Sequence, residues 1–465
     1  ICNNGNIGDI TGDFVGNYAN YYGGAITNNG LFSTIGNITG NFINNKSGGA
    51  EGSGGAISNG GTIGDITGDF IGNYNAVWGG GNPASGGAIS NSGTIGNITG
   101  DFIGNTAGSE GGAIGNYYYS TIGDITGDFI GNTASSSPSF GGAIYNYDNS
   151  TIGDITGDFI GNTASSTSYY SSEGGAILNS NSTIGNITGD FIGNYASSSG
   201  SVYGGAINNY ENGIIGNITG DFIGNYAKSE TWEAYGGAIY NRGTIGDIAG
   251  DFIGNYAKSE TGEAKGGAIY SNRDLNIVAD GTTSVFKDNY TESQGVKDDN
   301  AIYIDNNATL NFTMKNNGKI YMADNIDGTV TKDSDGNITD TYNVNIKGDN
   351  INNTTFYMLN DIRNANVTFD NTTINAINNQ THVYNFNSLT VNSDTNFVAD
   401  VDLANAEMDR ITATNYGTHN GNLNVVGMNL LSDATKDVTE IYFAEQGLKD
   451  NVVNGMPKTG EYNLP

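Results

Sequence analysis

Acidic side chains recur at nearly constant spacing through the first half of this 465-residue chain. One Asp stands directly before the Phe of a repeated GDFIGN string, as at Asp101 and Asp128, and the position four residues earlier alternates between Asp and Asn, as at Asn97 and Asp124. Carboxylate and carbonyl oxygens are preferred Ca²⁺ ligands, so one hypothesis places Ca²⁺ between repeats. The alternative is an exposed acidic face that prevents aggregation. Because the spacing differs from that of the nonapeptide Ca²⁺-binding repeat, we favour the acidic face and predict no cofactor.

Residues that could form a catalytic site are sparse. The two histidines, His382 and His419, lie outside the repeats and are expected in exposed loops, and no GDSGS string supplies a serine nucleophile. A glycan lyase needs a base, yet Lys46 is the only Lys or Arg before the cluster that begins at Lys228. A glycoside hydrolase needs two carboxylates at one unique place, whereas these acids follow the repeat. We therefore predict that the protein is not an enzyme.

Aromatic side chains in variable inserts between the repeated strings are the best candidates for binding. The inserts are rich in Ser, Gly and Tyr, a composition that suits recognition of sugars or protein surfaces by adaptable loops. The alternative is that the rings only cover the bases of the loops. The candidate ligand-contact residues are Trp78, Phe140, Tyr169, Tyr170, Tyr203 and Trp232.

Two short strings that alternate along the chain must position these residues. GGAI recurs with its Ala between Ala25 and Ala268, and TIGDITGDFIGN recurs with its Phe between Phe14 and Phe252, at intervals of about 30 residues. Frequent Gly and β-branched residues exclude helices of several turns. Each repeat instead contains three short extended pieces, GAIxN, TIGDI and GDFIGN, bounded by turn-forming residues. Such repeats are typical of a parallel β-helix whose coils stack at about 4.8 Å.

We therefore predict an all-β fold, a right-handed single-stranded parallel β-helix with about 30 residues per coil. Residues 1–270 form the regular array, and residues 271–465 continue it with irregular coils. Equivalent Phe and Ile side chains are expected to stack inside. The Asn that ends every FxxN, from Asn17 to Asn289, is expected to adopt the left-handed turn conformation and to bond to its copies above and below.

Composition excludes several classes of protein. Acids outnumber bases 48 to 17, giving a net charge of -31, so nucleic-acid binding is not expected. One cysteine cannot form a disulfide framework, and no apolar run is long enough for a transmembrane helix. The chain begins at Ile1 without a signal peptide, so we interpret it as part of a longer protein.

The alternation of GGAI with FxxN across residues 1–301 resembles the polymorphic outer-membrane proteins of chlamydiae, a branch of the autotransporters. Residues 401–431 also look like the distal passenger stem of autotransporters. The resemblance implies an export signal, a β-helical passenger that often serves as an adhesin, and a C-terminal outer-membrane barrel, and neither the signal nor the barrel is in this sequence. The uniform TIGDIT string departs from the chlamydial pattern and suggests another Gram-negative bacterium.

These observations predict a non-catalytic adhesin, the surface-exposed passenger of an autotransporter-type protein. We expect it at the cell surface or outer membrane, or released outside the cell. Its expected partners are a protein or glycan of a host or neighbouring cell and its own C-terminal barrel in the full-length protein. The alternatives are a carbohydrate-active parallel β-helix enzyme, lyase or glycosidase, and a structural spacer that presents a missing tip.

Overall fold

The computed structural model describes residues 1–48, 52–76, 85–417 and 419–432, and every regular element in these ranges is a β-strand. The strands stack as a parallel β-solenoid of about 14 turns with roughly 30 residues per turn. The predicted parallel β-helix is therefore confirmed. The chain divides into two compact units, one of Ile1–Arg273 with Asp288–Ile302 and one of Asp274–Lys287 with Tyr303–Pro465.

Each turn of the first unit consists of very short strands separated by tight bends. A representative turn has strands at Phe129–Ile130, Thr133–Ala134, Ser139–Phe140, Ile144–Tyr147, Thr151–Ile152 and Ile155–Thr156. Glycines at the bends have backbone angles that other residues rarely adopt, such as φ 61° at Gly131. Strands of two residues are not stable alone, so each turn depends on its neighbours.

Identical residues of successive turns lie directly above one another in the first unit. Ile57 pairs with Ile89 in parallel register, and the same register recurs along the repeat. The Phe rings from Phe14 to Phe252 form a continuous stack with centroids 4.7–4.8 Å apart and interplanar angles of 5° or less. All but the first ring are fully buried, and each contributes about 1.5–3 kcal/mol to folding.

The Asn of each FxxN forms the predicted buried ladder. At Asn132, Nδ2 donates to the Phe102 carbonyl at 2.8 Å and to Asn162 Oδ1 at 2.9 Å. Its Oδ1 accepts hydrogen bonds from the backbone N and from Nδ2 of Asn105, both at 3.0 Å. The ladder runs from Asn17 to Asn289. Because the amide of a ladder Asn makes all four of its hydrogen bonds, its burial carries no unsatisfied polar group.

The left-handed residue of this turn is not the Asn, as we expected, but the residue before it. Gly104 and Gly131 both have φ 61°, and Asn44 takes the same place in one turn with φ 53°. Glycine is favoured there because it has no Cβ to clash in the left-handed conformation. The ladder Asn is instead selected for the hydrogen bonds of its side chain.

A second ladder, which the sequence analysis missed, follows the GAIxN strands. Asn116 Nδ2 donates to Asn146 Oδ1 at 2.9 Å, and the same bond links successive turns from Asn3 to Asn241. The last member donates to Ser271 Oγ at 3.1 Å. Two buried ladders of Asn side chains, one from the FxxN strings and one from the GAIxN strands, therefore join successive turns of the first unit by hydrogen bonds.

The second unit is itself a parallel β-solenoid with longer strands. One sheet contains Leu275–Asp280, Thr309–Lys315, Asn343–Gly348, Asn366–Asp370, Val383–Val391 and Arg410–Tyr416. The other contains Thr283–Lys287, Lys319–Met322, Thr355–Met358, Thr373–Asn375, Thr395–Asp402 and Leu423–Ser432. Apolar residues such as Phe312 and Ile346 alternate inward and are fully buried.

Replacing Asn132 by Ala tests the first ladder. The substitution leaves both donors of Asn105 without their acceptor inside the core, so we expect the free energy of unfolding to fall by about 2–4 kcal/mol. Urea unfolding measures the change. The exposed Thr126, in the same turn, is the control, and Thr126→Ala should change it by less than about 0.5 kcal/mol. Equal effects of the two substitutions would contradict a structural ladder.

Candidate functional site

The glycine pair of each GGAI string forms a tight bend in the backbone. A Cβ at Gly141 would lie 2.0 Å from the Ile144 carbonyl oxygen, and a Cβ at Gly142 would lie 1.9 Å from the Gly175 carbonyl oxygen of the next turn. Gly141 also has φ 60°. Only glycine fits both positions, so the bend recurs wherever the pair recurs.

This bend creates a surface feature that we call the glycine corner, made of two columns of residues. The front column, directly before each glycine pair, contains Tyr22, Ser53, Ser85, Glu110, Phe140, Glu173, Tyr203, Tyr235 and Lys265. The back column, directly after each GGAI string, contains Thr27, Ser58, Ser90, Gly115, Tyr145, Leu178, Asn208, Tyr240 and Tyr270.

Side chains of the two columns contact each other, which shows that the corner is concave. The ring centroids of Phe140 and Tyr145 lie 6.0 Å apart, and those of Tyr235 and Tyr270 lie 4.9 Å apart. Outward-facing side chains diverge at a convex corner and converge at a concave one. The repeated glycine pair therefore gives the solenoid a recessed strip whose side chains vary from turn to turn.

Tyrosines fill one end of the glycine corner. Tyr203 stacks against Tyr240 with centroids 4.8 Å apart, and its hydroxyl donates to Glu233 Oε1 at 2.5 Å. The Tyr235 hydroxyl donates to Glu263 Oε2 at 3.1 Å. Burial and the neighbouring carboxylates raise the pKa of Tyr203 and of Tyr235, so both hydroxyls remain protonated donors at neutral pH.

Glu173 lies in the middle of the front column and has hydrogen-bond partners. Ser171 Oγ donates to Oε1 at 2.7 Å, and Asn208 Nδ2 donates to Oε2 at 3.0 Å. Burial raises the pKa of Glu173, and the Ser171 hydrogen bond opposes that rise. The carboxyl group is therefore already held within the fold.

Glu110, two turns before Glu173 in the front column, is different. It is half-buried between Ser85 and Phe140, and within the described residues its carboxyl group has no hydrogen bond or ion pair. Burial raises the pKa of Glu110 to about 7. The Tyr145 hydroxyl is close enough that Glu110 adds to the rise in the pKa of Tyr145 caused by burial. A carboxyl group that breaks the repeat and lacks a partner is a functional candidate.

The sequence analysis missed Glu110 and Glu173 because it treated the acids as a property of the repeat. The residue before each glycine pair can be read directly from the sequence, and it is Ser, Glu, Phe, Tyr or Lys in different turns. This one variable position beside an invariant GGAI string is the sequence feature that could have identified Glu110 and Glu173.

The structure places the predicted aromatic residues in two environments. Tyr169, Tyr170 and Trp232 lie in exposed loops, with 77%, 63% and 56% of their surfaces accessible. Phe140 and Tyr203 lie instead in the strands Ser139–Phe140 and Val202–Tyr203, half-buried in the glycine corner, because they immediately precede a glycine pair. Trp78 lies outside the described residues.

Buried serines hold the loops that carry the exposed rings. Ser198 Oγ donates to the Tyr170 carbonyl at 2.6 Å, and Ser259 Oγ donates to the Trp232 carbonyl. Gly200 lies in the solenoid turn between these two loops and packs closely against the first of them. A Cβ at Gly200 would lie 2.3 Å from the Tyr169 carbonyl oxygen. The rings therefore project from two anchored loops that are two turns, or about 10 Å, apart along the stack.

The two repeated acidic columns have a structural role that neither sequence hypothesis included. Asp128 Oδ1 accepts a hydrogen bond from the backbone N of Asp158 at 2.8 Å, and Asp124 Oδ1 accepts one from the backbone N of Asp154 at 2.9 Å. Where Asn replaces Asp, as at Asn97, its Oδ1 accepts the same bond. An accepting oxygen is what the column requires, which explains why Asp and Asn alternate.

Each histidine takes part in local hydrogen bonds. His382 lies outside the strands with its side chain 37% exposed, its Nε2 lies 2.7 Å from Asp361 Oδ1, and its backbone N donates to Asp409 Oδ1. His419 Nδ1 accepts a hydrogen bond from the Val391 backbone N at 3.1 Å. The His382 imidazole therefore pairs with a carboxylate, and the His419 imidazole binds a backbone amide.

Comparisons with known proteins leave the family open. No family model, no curated protein and no solved structure matches this chain. Among the described residues, no group of three or more His, Cys, Asp or Glu side chains is placed to hold a metal ion. The same residues include no helix of the length and apolar character needed to span a bilayer.

The pH dependence of stability tests the environment of Glu110. The pKa of the folded state, about 7, lies above the usual 4.5, so the folded state retains a proton that the unfolded state releases. The contribution of protonated Glu110 to the free energy of unfolding is therefore fully present below about pH 4.5, and it is lost as the pH rises to about 7. We expect Glu110→Gln to leave stability unchanged at pH 4.5 and to raise it by about 1–3 kcal/mol at pH 8. Urea unfolding at both pH values measures this, and a pH-independent difference would show that Glu110 is solvated.

Proposed function

We propose that this chain is a non-catalytic adhesin whose recognition surface is the row of anchored aromatic loops. The supporting observation is that Tyr169, Tyr170 and Trp232 are more than half exposed although the loops that carry them are tied to buried serines. Large exposed rings are costly in water and have no role in packing the solenoid. Rigidly presented Tyr and Trp side chains bind partners at low cost in conformational entropy.

The expected partner is a glycan or protein on a host or neighbouring cell. Tyr and Trp rings offer apolar faces to sugar C–H groups or protein side chains, and the Ser and Gly residues around them offer hydrogen bonds. The net charge of -31 disfavours strongly anionic partners at low ionic strength. A neutral or basic surface is therefore the best match.

Placement at the surface of a Gram-negative cell, as an autotransporter-type passenger, is the second part of the proposal. Its support is the resemblance of the alternating GGAI and FxxN strings to the chlamydial family. The single cysteine also suits a chain that crosses two membranes unfolded, since disulfides would obstruct transport. The first test of this part is the gene sequence on both sides of the segment, which should encode a signal upstream and an outer-membrane barrel downstream.

A glycoside hydrolase is the second candidate, favoured by the two half-buried carboxyl groups of the glycine corner. Glu110 and Glu173 lie two turns, or about 10 Å, apart, which is near the separation used by inverting enzymes. Phe140 occupies the turn between them, and Glu173 is already hydrogen-bonded. The adhesin is therefore the better-supported proposal, and a spacer would show neither binding nor hydrolysis.

Removing the exposed rings tests the adhesin proposal. The triple variant Tyr169→Ala, Tyr170→Ala and Trp232→Ala should bind immobilised cells or a glycan array at least tenfold more weakly than the unmodified chain, because the proposed contact surface is lost. Its thermal midpoint should be unchanged, since the rings are exposed and the serine anchors remain.

The matched control is Phe32→Ala with Tyr119→Ala, which removes two rings that are 92% and 76% exposed but lie outside this row of loops. We expect the control to bind normally. Equal losses in both variants would indicate nonspecific hydrophobic adsorption, and release of reducing sugar ends from the array would favour the hydrolase.

A further inference from the structure

Glu110 is surrounded by aromatic rings and unused hydrogen-bond acceptors. Phe140 is its neighbour in the front column, and Tyr145 stacks on Phe140 from the back column. Tyr117 lies near enough for Glu110 to raise its pKa, and its hydroxyl contacts Ser90. The half-buried carboxyl group therefore lies in the glycine corner among three aromatic side chains, and we call this place the Glu110 recess.

Two groups in this recess, the Glu110 carboxylate and the Tyr145 hydroxyl, can accept further hydrogen bonds. The Glu110 carboxylate has no partner within the described residues, and no hydrogen bond engages the Tyr145 hydroxyl there. Ser85 lies directly next to Glu110 in the front column and is 4% exposed. Its Oγ is fully buried beside the Tyr117 hydroxyl and above Gly115, so a ligand cannot reach it. Unmet acceptors beside a desolvated carboxylate call for a donor with positive charge.

Within the described residues, no Lys or Arg side chain pairs with Glu110. Lys46 is the only Lys or Arg before Lys228, and its Nζ lies 5.0 Å from the centroid of the Tyr74 ring. The titratable groups described near Glu110 are Tyr117 and Tyr145, whose pKa values are raised by burial, so both hydroxyls are neutral and neither supplies a positive charge. A cationic ligand would supply the charge that Glu110 lacks among the described residues.

We propose that the Glu110 recess of the glycine corner binds a primary ammonium group, such as a lysine side chain of a partner protein. Its three N–H donors match the two oxygens of the Glu110 carboxylate and the Tyr145 hydroxyl, and its alkyl stem would lie against Phe140. The site is separate from the loop row, so it stands or falls independently of the adhesin proposal.

Other ligands fit this recess less well. A quaternary ammonium has no N–H donor and needs free aromatic faces, but the faces of Tyr145 are stacked between Phe140 at 6.0 Å and Tyr147 at 5.5 Å. Ca²⁺ needs six to eight oxygen ligands, more than a single carboxylate and one hydroxyl provide. A neutral alcohol would leave the carboxylate uncompensated.

Titration of the whole chain with n-butylammonium and with Nα-acetyl-lysine-N-methylamide, at low salt and pH 8, tests the proposal. We expect saturable binding of both probes by calorimetry, with choline and 1-butanol binding at least tenfold more weakly. Binding should weaken about tenfold per pH unit below about pH 7, because the protonated carboxyl must release its proton to pair with the cation. Heats measured in buffers of different ionisation enthalpy at pH 6 should show proton release.

Glu110→Gln should lower the affinity for both probes at least tenfold and remove the pH dependence. The matched control is Glu173→Gln, in the same column, which should change affinity less than twofold because that carboxyl is already hydrogen-bonded. The thermal midpoints of both variants verify folding. Absence of saturable binding at pH 8, equal binding by Glu110→Gln, or equal binding of choline or 1-butanol would overturn the proposal.

Discussion

The stacking of identical side chains at the rise of one turn is the constraint on which the rest of the first unit depends. With Phe rings 4.7–4.8 Å apart along the stack, every residue of the repeat meets its own copy above and below. Only side chains that interact favourably with themselves can occupy such a column. Phe and Ile satisfy this by apolar contact, and Asn satisfies it because one amide contains both a donor and an acceptor.

Aspartate is the exception that shows how strict the constraint is. Stacked carboxylates repel each other, yet Asp precedes the Phe in nearly every turn. The backbone N–H of the next turn offsets this cost by donating to each Oδ1, as between Asp128 and Asp158. Asn41 preserves the same bond to Asp69 without the charge. The acidic columns therefore belong to the scaffold, and chemistry specific to this protein must be sought where copies differ.

The repeat was sufficient to predict the fold, the Phe stack and the first Asn ladder, because periodicity at about 30 residues with short extended strings has few structural solutions. It could not predict the direction of the bend at the glycine pair, since glycine allows both convex and concave turns. For that reason Phe140 and Tyr203 were assigned to projecting loops. Exposed loop positions such as Trp232 were predictable from insert length alone, whereas the partners of a buried carboxyl depend on side chains from neighbouring turns.

The central claim is that the invariant columns form the scaffold and that the variable positions are available to bind partners. Amide hydrogen exchange, measured residue by residue, tests this claim most directly. The account predicts slow exchange of the backbone amides of Asn105, Asn132 and Asp158, which are bound to oxygens of the adjacent turn. It predicts fast exchange of the backbone N–H groups of Tyr169 and Thr231, which lie in the exposed loops and donate no hydrogen bond within the described residues. Uniformly fast exchange across both sets would contradict the stacked solenoid and, with it, the assignment of function to the positions that break the repeat.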